Sequence, residues 1–251
     1  VPLLSGHLGG ANRLARAIGA VCGAQPVITT ATDVNGVFAV DEWAACQGMA
    51  VVDPQHIKHI SGRLLAGDGI RLYSACPIEG DCPPGVQRTE TLPADVVVSV
   101  RREQAVLSLA PKTVVLGVGC RKGTPPGALE SVLERFLEES GLRVEAICAV
   151  ASIDLKKEEP GLLEFCRRHG WPFETRTAEQ LRQAPGSFTP SAFVHQITGV
   201  DNVCERSAAA VSGGRVSVKK FAADGVTMAA AEKPFRLTWN WTQPAERRGE
   251  R

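Results

Sequence analysis

Residues 113–141 read TVVLGVGCRKG and then TPPGALESVLERFLEESG, a sequence that dictates a buried strand, a glycine turn and a helix in direct succession. Val114, Val115, Leu116 and Val118 make a short apolar run of the kind found in strands covered on both faces. Leu129, Val132, Leu133, Phe136 and Leu137 follow the i, i+3, i+4, i+7, i+8 spacing of an amphipathic helix, and Gly141 supplies its stop. Thr124 is the expected cap, and Pro125 suits the first turn because it has no N–H to leave unpaired.

The turn of this unit sets a chemical question. Gly117 and Gly119 allow close backbone approach, and Cys120, Arg121 and Lys122 follow at a helix N-terminus. That end already carries partial positive charge, so each cation there is disfavoured by roughly 0.3–1 kcal/mol. An anion bound in the turn removes the conflict; two solvated side chains pointing away are the alternative. The spacing fits neither familiar nucleotide motif. From Gly117 to Gly123 there is one residue too many for a dinucleotide fingerprint, and Lys122 precedes Gly123 where a P-loop needs Lys after its last glycine.

Val1–Gly23 repeats the plan: VPLL, then SGHLGGAN, then RLARAIGAVCG, with Leu14, Ile18, Val21 and Cys22 on one helical face. Ser5, His7, Gly9, Gly10 and Asn12 give that turn hydrogen-bonding groups, a candidate base and room for a ligand. QPVITTATDVNG is a second short strand, with Thr29, Thr30, Thr32 and Asp33 at its carboxyl end, where open α/β sheets take ligands. Ordinary turn chemistry, with Asp33 and Asn35 bonding local backbone, is the alternative.

The chain has 251 residues, 44% hydrophobic and 22% charged, as expected of one large or two ordinary soluble domains. A formal charge of +1 argues against a general nucleic-acid or membrane surface. The eight cysteines are scattered and none forms C-x-x-C, which points away from a zinc ribbon or redox pair and toward free thiols in the cytoplasm. His56 and His59 share a helical face, but no third metal ligand stands nearby in the sequence. A chain that opens on Val1 in an apolar run reads as one missing its beginning.

Alternating strands and helices predict an α/β fold of two domains, the first incomplete, joined by a small central region. The expected divisions are 1–52, 53–111, 112–241 as a three-layer α/β sandwich, and a disordered tail at 242–251. Within them, AVLSLAPKT reads as an edge strand and connector, Leu162, Leu163 and Phe165 as the inward face of a helix, and FRLTW as an added edge strand of the last domain.

LLSGHLGGAN followed by PVITTATDVNG resembles the end of the N-terminal domain of CbiG, the cobalt-precorrin-5A hydrolase family of anaerobic cobalamin biosynthesis. IKHISGRLLAG through ADVVVSVR is similar to that family's central region. GVGCRKGTP, ASIDLKKEEPGL, TGVDNVCERSAA and VKKFAADGVTMA resemble its C-terminal domain, which is shared with the small protein CobE. The likeness runs from about Val1 to Trp239 in the family's order, without the family's further N-terminal strands. It implies opening of a δ-lactone on a cobalt corrinoid, with release of acetaldehyde. It also implies a cobalt that arrives within the substrate, so no cofactor of the protein's own is expected.

Lactone opening is absent from CobE-like proteins, so on this resemblance the chemistry belongs to the first half. His7 is the expected base, and Asn12 with the Gly9 and Gly10 amides the oxyanion donors, while Asp33 orients His7 or replaces it. Ser5, Thr29, Thr30 and the 117–122 turn are the expected substrate contacts, with Arg121 and Lys122 on its carboxylates. The expected partner is the small-molecule corrinoid; a homodimer, or contact with other cobalamin-pathway enzymes, stays open. A corrinoid carrier without chemistry, of the CobE type, is the second reading. A nicotinamide oxidoreductase is a third, against which the glycine spacing stands.

Overall fold

A computed structural model describes residues 11–24, 36–190, 196 and 198–241. The expected site residues Ser5, His7, Gly9, Gly10, Thr29, Thr30 and Asp33 lie outside these residues, as do the first strand, the ITTATD segment and the 242–251 tail. The chain divides into two compact units. One contains residues 1–99, 103–111 and 236–251, the other residues 100–102 and 112–235.

The described part of the first unit begins with helix α1 (Ala11–Cys22), which Gly23 ends at φ 63°. Its Leu14, Ile18 and Val21 are exposed. Helix α2 (Val40–Cys46) then leads into strand β1 (Met49–Val51), and helix α3 (Ile57–Ala66) into β2 (Ile70–Ser74). Strands β3 (Ile78–Glu79), β4 (Val86–Thr89), β5 (Ala94–Val98) and β6 (Ala105–Pro111) follow. The main sheet runs β1-β6-β5-β2-β4, so residues on both sides of position 52 belong to it. AVLSLAP is therefore an interior strand and not the expected edge, because β1 pairs antiparallel along it from Met49↔Pro111 to Val51↔Leu109. Burial of Leu107, Leu109 and Ala110 at 0% exposure agrees with that place.

FRLTW is a second correction. Leu237–Thr238 pairs in parallel with β3 of the first unit, and not with the C-terminal sheet. Aromatic packing explains it: Trp239 stacks on the buried Trp43 with ring centroids 5.3 Å apart, and Trp43 Nε1 donates to Thr238 O at 2.7 Å. Phe38 meets Trp43, Trp239 and Trp241 edge-on or tilted at 5.3–6.0 Å. Such pairs contribute about 0.5–1.5 kcal/mol each beyond the area they bury.

The second unit is built on the 113–141 stretch. Strand β7 (Val114–Cys120) feeds helix α4 (Pro126–Ser140), β8 (Ile147–Ile153) feeds α5 (Pro160–His169), and β9 (Phe173–Arg176) leads into the short α6 (Ala178–Arg182). Helix α7 (Val203–Ser212) then precedes the hairpin β10 (Arg215–Ala223) and β11 (Val226–Glu232). The hairpin turns through Asp224 at φ 51° and Gly225 at φ 79°, the left-handed pair that a tight hairpin needs. The sheet order is β10-β11-β7-β8-β9, with β7, β8 and β9 parallel and β11 antiparallel to both β7 and β10.

The three layers follow from the pleat. Val115, Ala149 and Ala151 pack with Val211 of α7, so one face of β7 belongs to that helix. Phe136 of α4 meets Phe221, which pairs with Met228, itself opposite Val118. Val118 and Gly117 alternate in direction, so α4 lies on the other face, with α5 beside it. As the spacing predicts, Leu129, Val132, Leu133, Phe136 and Leu137 are all buried. Leu163 is the exception in α5: Leu162 and Phe165 are buried, but Leu163 points outward at 42% exposure, one step of about 100° off the buried face. The 177–180 capping box forms as expected, Thr177 Oγ1 accepting from Gln180 N and Gln180 Oε1 accepting from Thr177 N.

Candidate functional site

In a parallel sheet all strands end together, so β7, β8 and β9 bring residues 120, 153 and 176 to one edge, where α4 and α5 also begin. The antiparallel β11 starts there too, with Val226 opposite Cys120. The β7–β8 ladder runs to Gly117↔Ala151. Just beyond it, the buried Ser152 hydroxyl donates to Val118 O at 2.7 Å, taking the place of a ladder bond as the strands part. The loops that follow, 121–125 after β7 and 154–159 after β8, flank the opening.

The glycines of the GVGC segment give room to neighbouring elements. A methyl on Gly117 would stand 1.8 Å from Cys204 O, so this position gives room to helix α7. At Gly119 it would stand 2.6 Å from Thr227 Oγ1. Gly161, at the start of α5, is needed in the same way: a methyl there would lie 1.9 Å from Thr124 O. Thr124 does not cap α4, again contrary to expectation. Pro125 is the N-cap with no side-chain cap bond, and the Thr124 hydroxyl instead donates to Arg121 O at 2.8 Å within the turn.

The conflict between cations and a helix N-terminus is resolved in part from within the chain. Glu159, 7% exposed, turns its carboxylate away from its own helix. One oxygen accepts from Gly123 N at 2.7 Å and the other from Lys156 Nζ at 2.9 Å. Burial pushes its pKa up, but the Lys156 hydrogen bond, the Gly123 amide, and the charges of Lys156 and Lys122 together hold it below the ordinary carboxylate value. The anion demanded by the turn is thus a side chain from the next loop.

Arg121 and Lys122 are exposed, and among the described residues neither forms an ion pair. The Arg121 side chain lies against the hairpin turn, where a methyl on Gly225 would come within 3.1 Å of Nε. Among the described residues Lys157 pairs with the exposed Glu158 at 3.9 Å, and Asp154 is the remaining acid of this loop. Cys120 is partly buried; burial pushes its thiol up and Glu159 adds to this, against Lys156 and a Thr124 hydrogen bond that pull it down.

A second buried carboxylate fixes the N-terminal end of α7. Glu205, fully buried, accepts from Thr189 N at 3.0 Å, Thr189 Oγ1 at 2.8 Å and Lys220 N at 2.8 Å. Asn202 caps the helix by accepting from Glu205 N at 2.9 Å and donates to Thr189 O at 2.9 Å. These are positions that pattern reading left without a role. Glu159 directly before Pro160 marks a helix start in the sequence, but nothing local says that its carboxylate crosses to Gly123.

Of the residues expected to do chemistry, only Asn12 falls on a described element, the first turn of α1. A cavity of about 930 Å³ lined by Pro185, Phe188, Val216, Ser217, Glu232 and Pro234 lies at the other end of the sheet, where Glu232 pairs with Val114. It has no part in the cation-lined loops. Among the described residues no three His, Cys, Asp or Glu side chains are grouped to hold a metal ion, and all eight cysteines are free. No helix among them is long and apolar enough to cross a membrane.

Comparison with known proteins identifies relatives along most of the chain. The family model "Cobalamin synthesis G C-terminus" matches residues 114–231, and "Cobalamin synthesis G N-terminal" matches residues 1–33. The cobalt-precorrin-5A hydrolase of Salmonella typhimurium is 36% identical over 244 residues, which cover 91% of this chain and 70% of that protein. The corresponding hydrolase of Priestia megaterium is 30% identical over 258 residues, covering 94% of this chain and 69% of that protein. The crystal structure of CobE, a protein from the cobalamin biosynthetic pathway, aligns with 49% of this chain and 91% of its own, at 32% identity and a TM-score of 0.46. With relatives this similar over most of its length, and with family models matched at both its ends, the chain belongs to the CbiG family of cobalt-precorrin-5A hydrolases.

Proposed function

We propose that this chain hydrolyses cobalt-precorrin-5A, with the corrinoid's carboxylates met by Arg121 and Lys122 and the lactone opened at the SGHLGGAN and ITTATD motifs. The observation that carries the binding half is a pair of cations without an ion-pair partner among the described residues, at the carboxyl edge of a parallel sheet. Because Glu159 already occupies the Gly123 amide, ligand carboxylates are met by side chains. An Arg guanidinium suits a carboxylate through two parallel N–H bonds.

The chemistry balances with water alone. His7 takes a proton from water as its oxygen adds to the lactone carbonyl, and Asn12 with the Gly9 and Gly10 amides holds the resulting oxyanion. Collapse breaks the ring C–O bond and leaves a free acid and a hydroxyethyl group. Loss of the hydroxyl proton then forms the aldehyde C=O and breaks the C–C bond to the ring, and the electron pair passes into the conjugated macrocycle. Acetaldehyde departs. Asp33 orients His7 or serves as the base in its place. Cobalt enters as part of the substrate, and the free thiols suit a cytoplasmic enzyme.

The test is acetaldehyde release from cobalt-precorrin-5A, assayed with this chain and with one extended to the length of its relatives. Stoichiometric aldehyde with a change in the corrinoid's visible spectrum is expected. Tight corrinoid binding with no aldehyde from either form would favour the carrier reading instead.

A further inference from the structure

Glu159 is placed unlike an ordinary residue at a helix start. It is the N-cap of α5, yet it makes no side-chain bond to that helix. Its two oxygens join two different loops: Oε1 holds Gly123 N of the loop after β7, and Oε2 holds Lys156 Nζ of the loop after β8. Lys156 is itself largely buried, at 16% side-chain exposure, so its ammonium is kept in place and not free to sweep solvent. Gly123 sits at φ 77° with open space around its Cβ position, so at this residue the turn is held by the hydrogen bond to its amide, beside the Thr124–Arg121 bond and the contact of Gly161 with Thr124 O. The adjoining Arg121 and Lys122 are carried by the same turn. The acids and cations facing Glu159 are accounted for: Lys156 and Lys122 act on it, Lys157 pairs loosely with Glu158, and Asp154 begins the loop.

We propose that Glu159 is a positioning residue for the corrinoid, tying the loop that carries Arg121 and Lys122 to the buried Lys156 of the next loop so that these two exposed cations present one preformed face to the ligand's carboxylates. The inference rests on the binding site proposed above. Its physical content is pre-organisation, since side chains and loops fixed beforehand lose less freedom when the ligand arrives. A residue that only balanced charge would act in the opposite direction. Removing its negative charge leaves the face more positive and should tighten the binding of an anion.

That opposition supplies the experiment. Binding to the full chain is measured by visible absorption with two probes, a cobalt corrinoid bearing free side-chain carboxylates and the same ring with those groups amidated. Glu159→Gln is expected to weaken the carboxylate form by about tenfold, or about 1.4 kcal/mol, and to leave the amidated form within about twofold. Unchanged or tighter binding of the carboxylate form would overturn the proposal. If Glu159→Gln fails to fold because Lys156 is left without a counter-charge, the double variant Glu159→Gln/Lys156→Met leaves no unpaired buried charge and carries the same test. The same loss is expected, and wild-type affinity overturns it. Failure of the underlying reading looks different. In that case the wild-type chain shows no preference between the two probes, whereas a preference abolished by Arg121→Ala but retained in Glu159→Gln sinks the positioning role alone.

Discussion

At the scale of single residues, the molecule separates cations that are spoken for from cations that are not. Lys156 has Glu159, while Arg121 and Lys122 have no ion pair among the described residues. Arg121→Ala should therefore weaken binding of a carboxylate-bearing corrinoid by about tenfold or more while shifting the melting temperature little, because an exposed side chain without an ion pair contributes little to stability. A fall of many degrees with unchanged affinity would make Arg121 structural. The two buried carboxylates make a separate prediction. Burial pushes the carboxyls of Glu159 and Glu205 up, but their hydrogen bonds and neighbouring lysines hold both below the ordinary carboxylate value in the folded state. A depressed acid contributes stability that is fully present above its unfolded pKa and is lost as pH falls through the folded one. Unfolding followed by circular dichroism should thus show stability falling as pH drops below about 4.5, and Glu205→Gln should be less stable at neutral pH with a shallower acid slope. An unchanged slope would remove Glu205 from the account.

At the scale of elements, the sequence was most legible where burial and period agree. The β7–α4 unit appears with its five inward residues and its Gly141 stop as spaced, and so does the 177–180 capping box. What could not be read is which surface an element meets. AVLSLAP looks like an edge strand until β1 is found along it, and FRLTW is drawn to the first unit by Trp43 and not by any local pattern. Gly117 and Gly119 were legible as places of close approach, but what approaches is helix α7 and Thr227, partners distant in sequence by about the length of the unit. Here the structure makes its firmest stability prediction. Gly117→Ala places a methyl 1.8 Å from Cys204 O, backbone that cannot rotate away. Overpacking of this kind costs about 1–3 kcal/mol or more, so denaturant unfolding should show a lower midpoint at similar slope. A midpoint equal to wild type would mean that α7 sits farther from β7 than described.

At the scale of the whole molecule, we propose a division of labour in which cations of the C-terminal unit meet the corrinoid's carboxylates and the N-terminal motifs carry the lactone chemistry. The first half of that division stands on described loops. The second stands on the sequence pattern of SGHLGGAN and ITTATD and on the family to which the chain belongs, since those residues lie outside the described ones. Both halves meet in one measurement, acetaldehyde release from cobalt-precorrin-5A by wild type, His7→Ala and Arg121→Ala at varied substrate. The account predicts that His7→Ala lowers kcat by roughly 10²–10⁴ with little change in corrinoid affinity, and that Arg121→Ala raises KM with kcat nearly unchanged. Wild-type turnover in His7→Ala, together with loss of kcat but not of binding in Arg121→Ala, would contradict it and place the chemistry in the C-terminal unit.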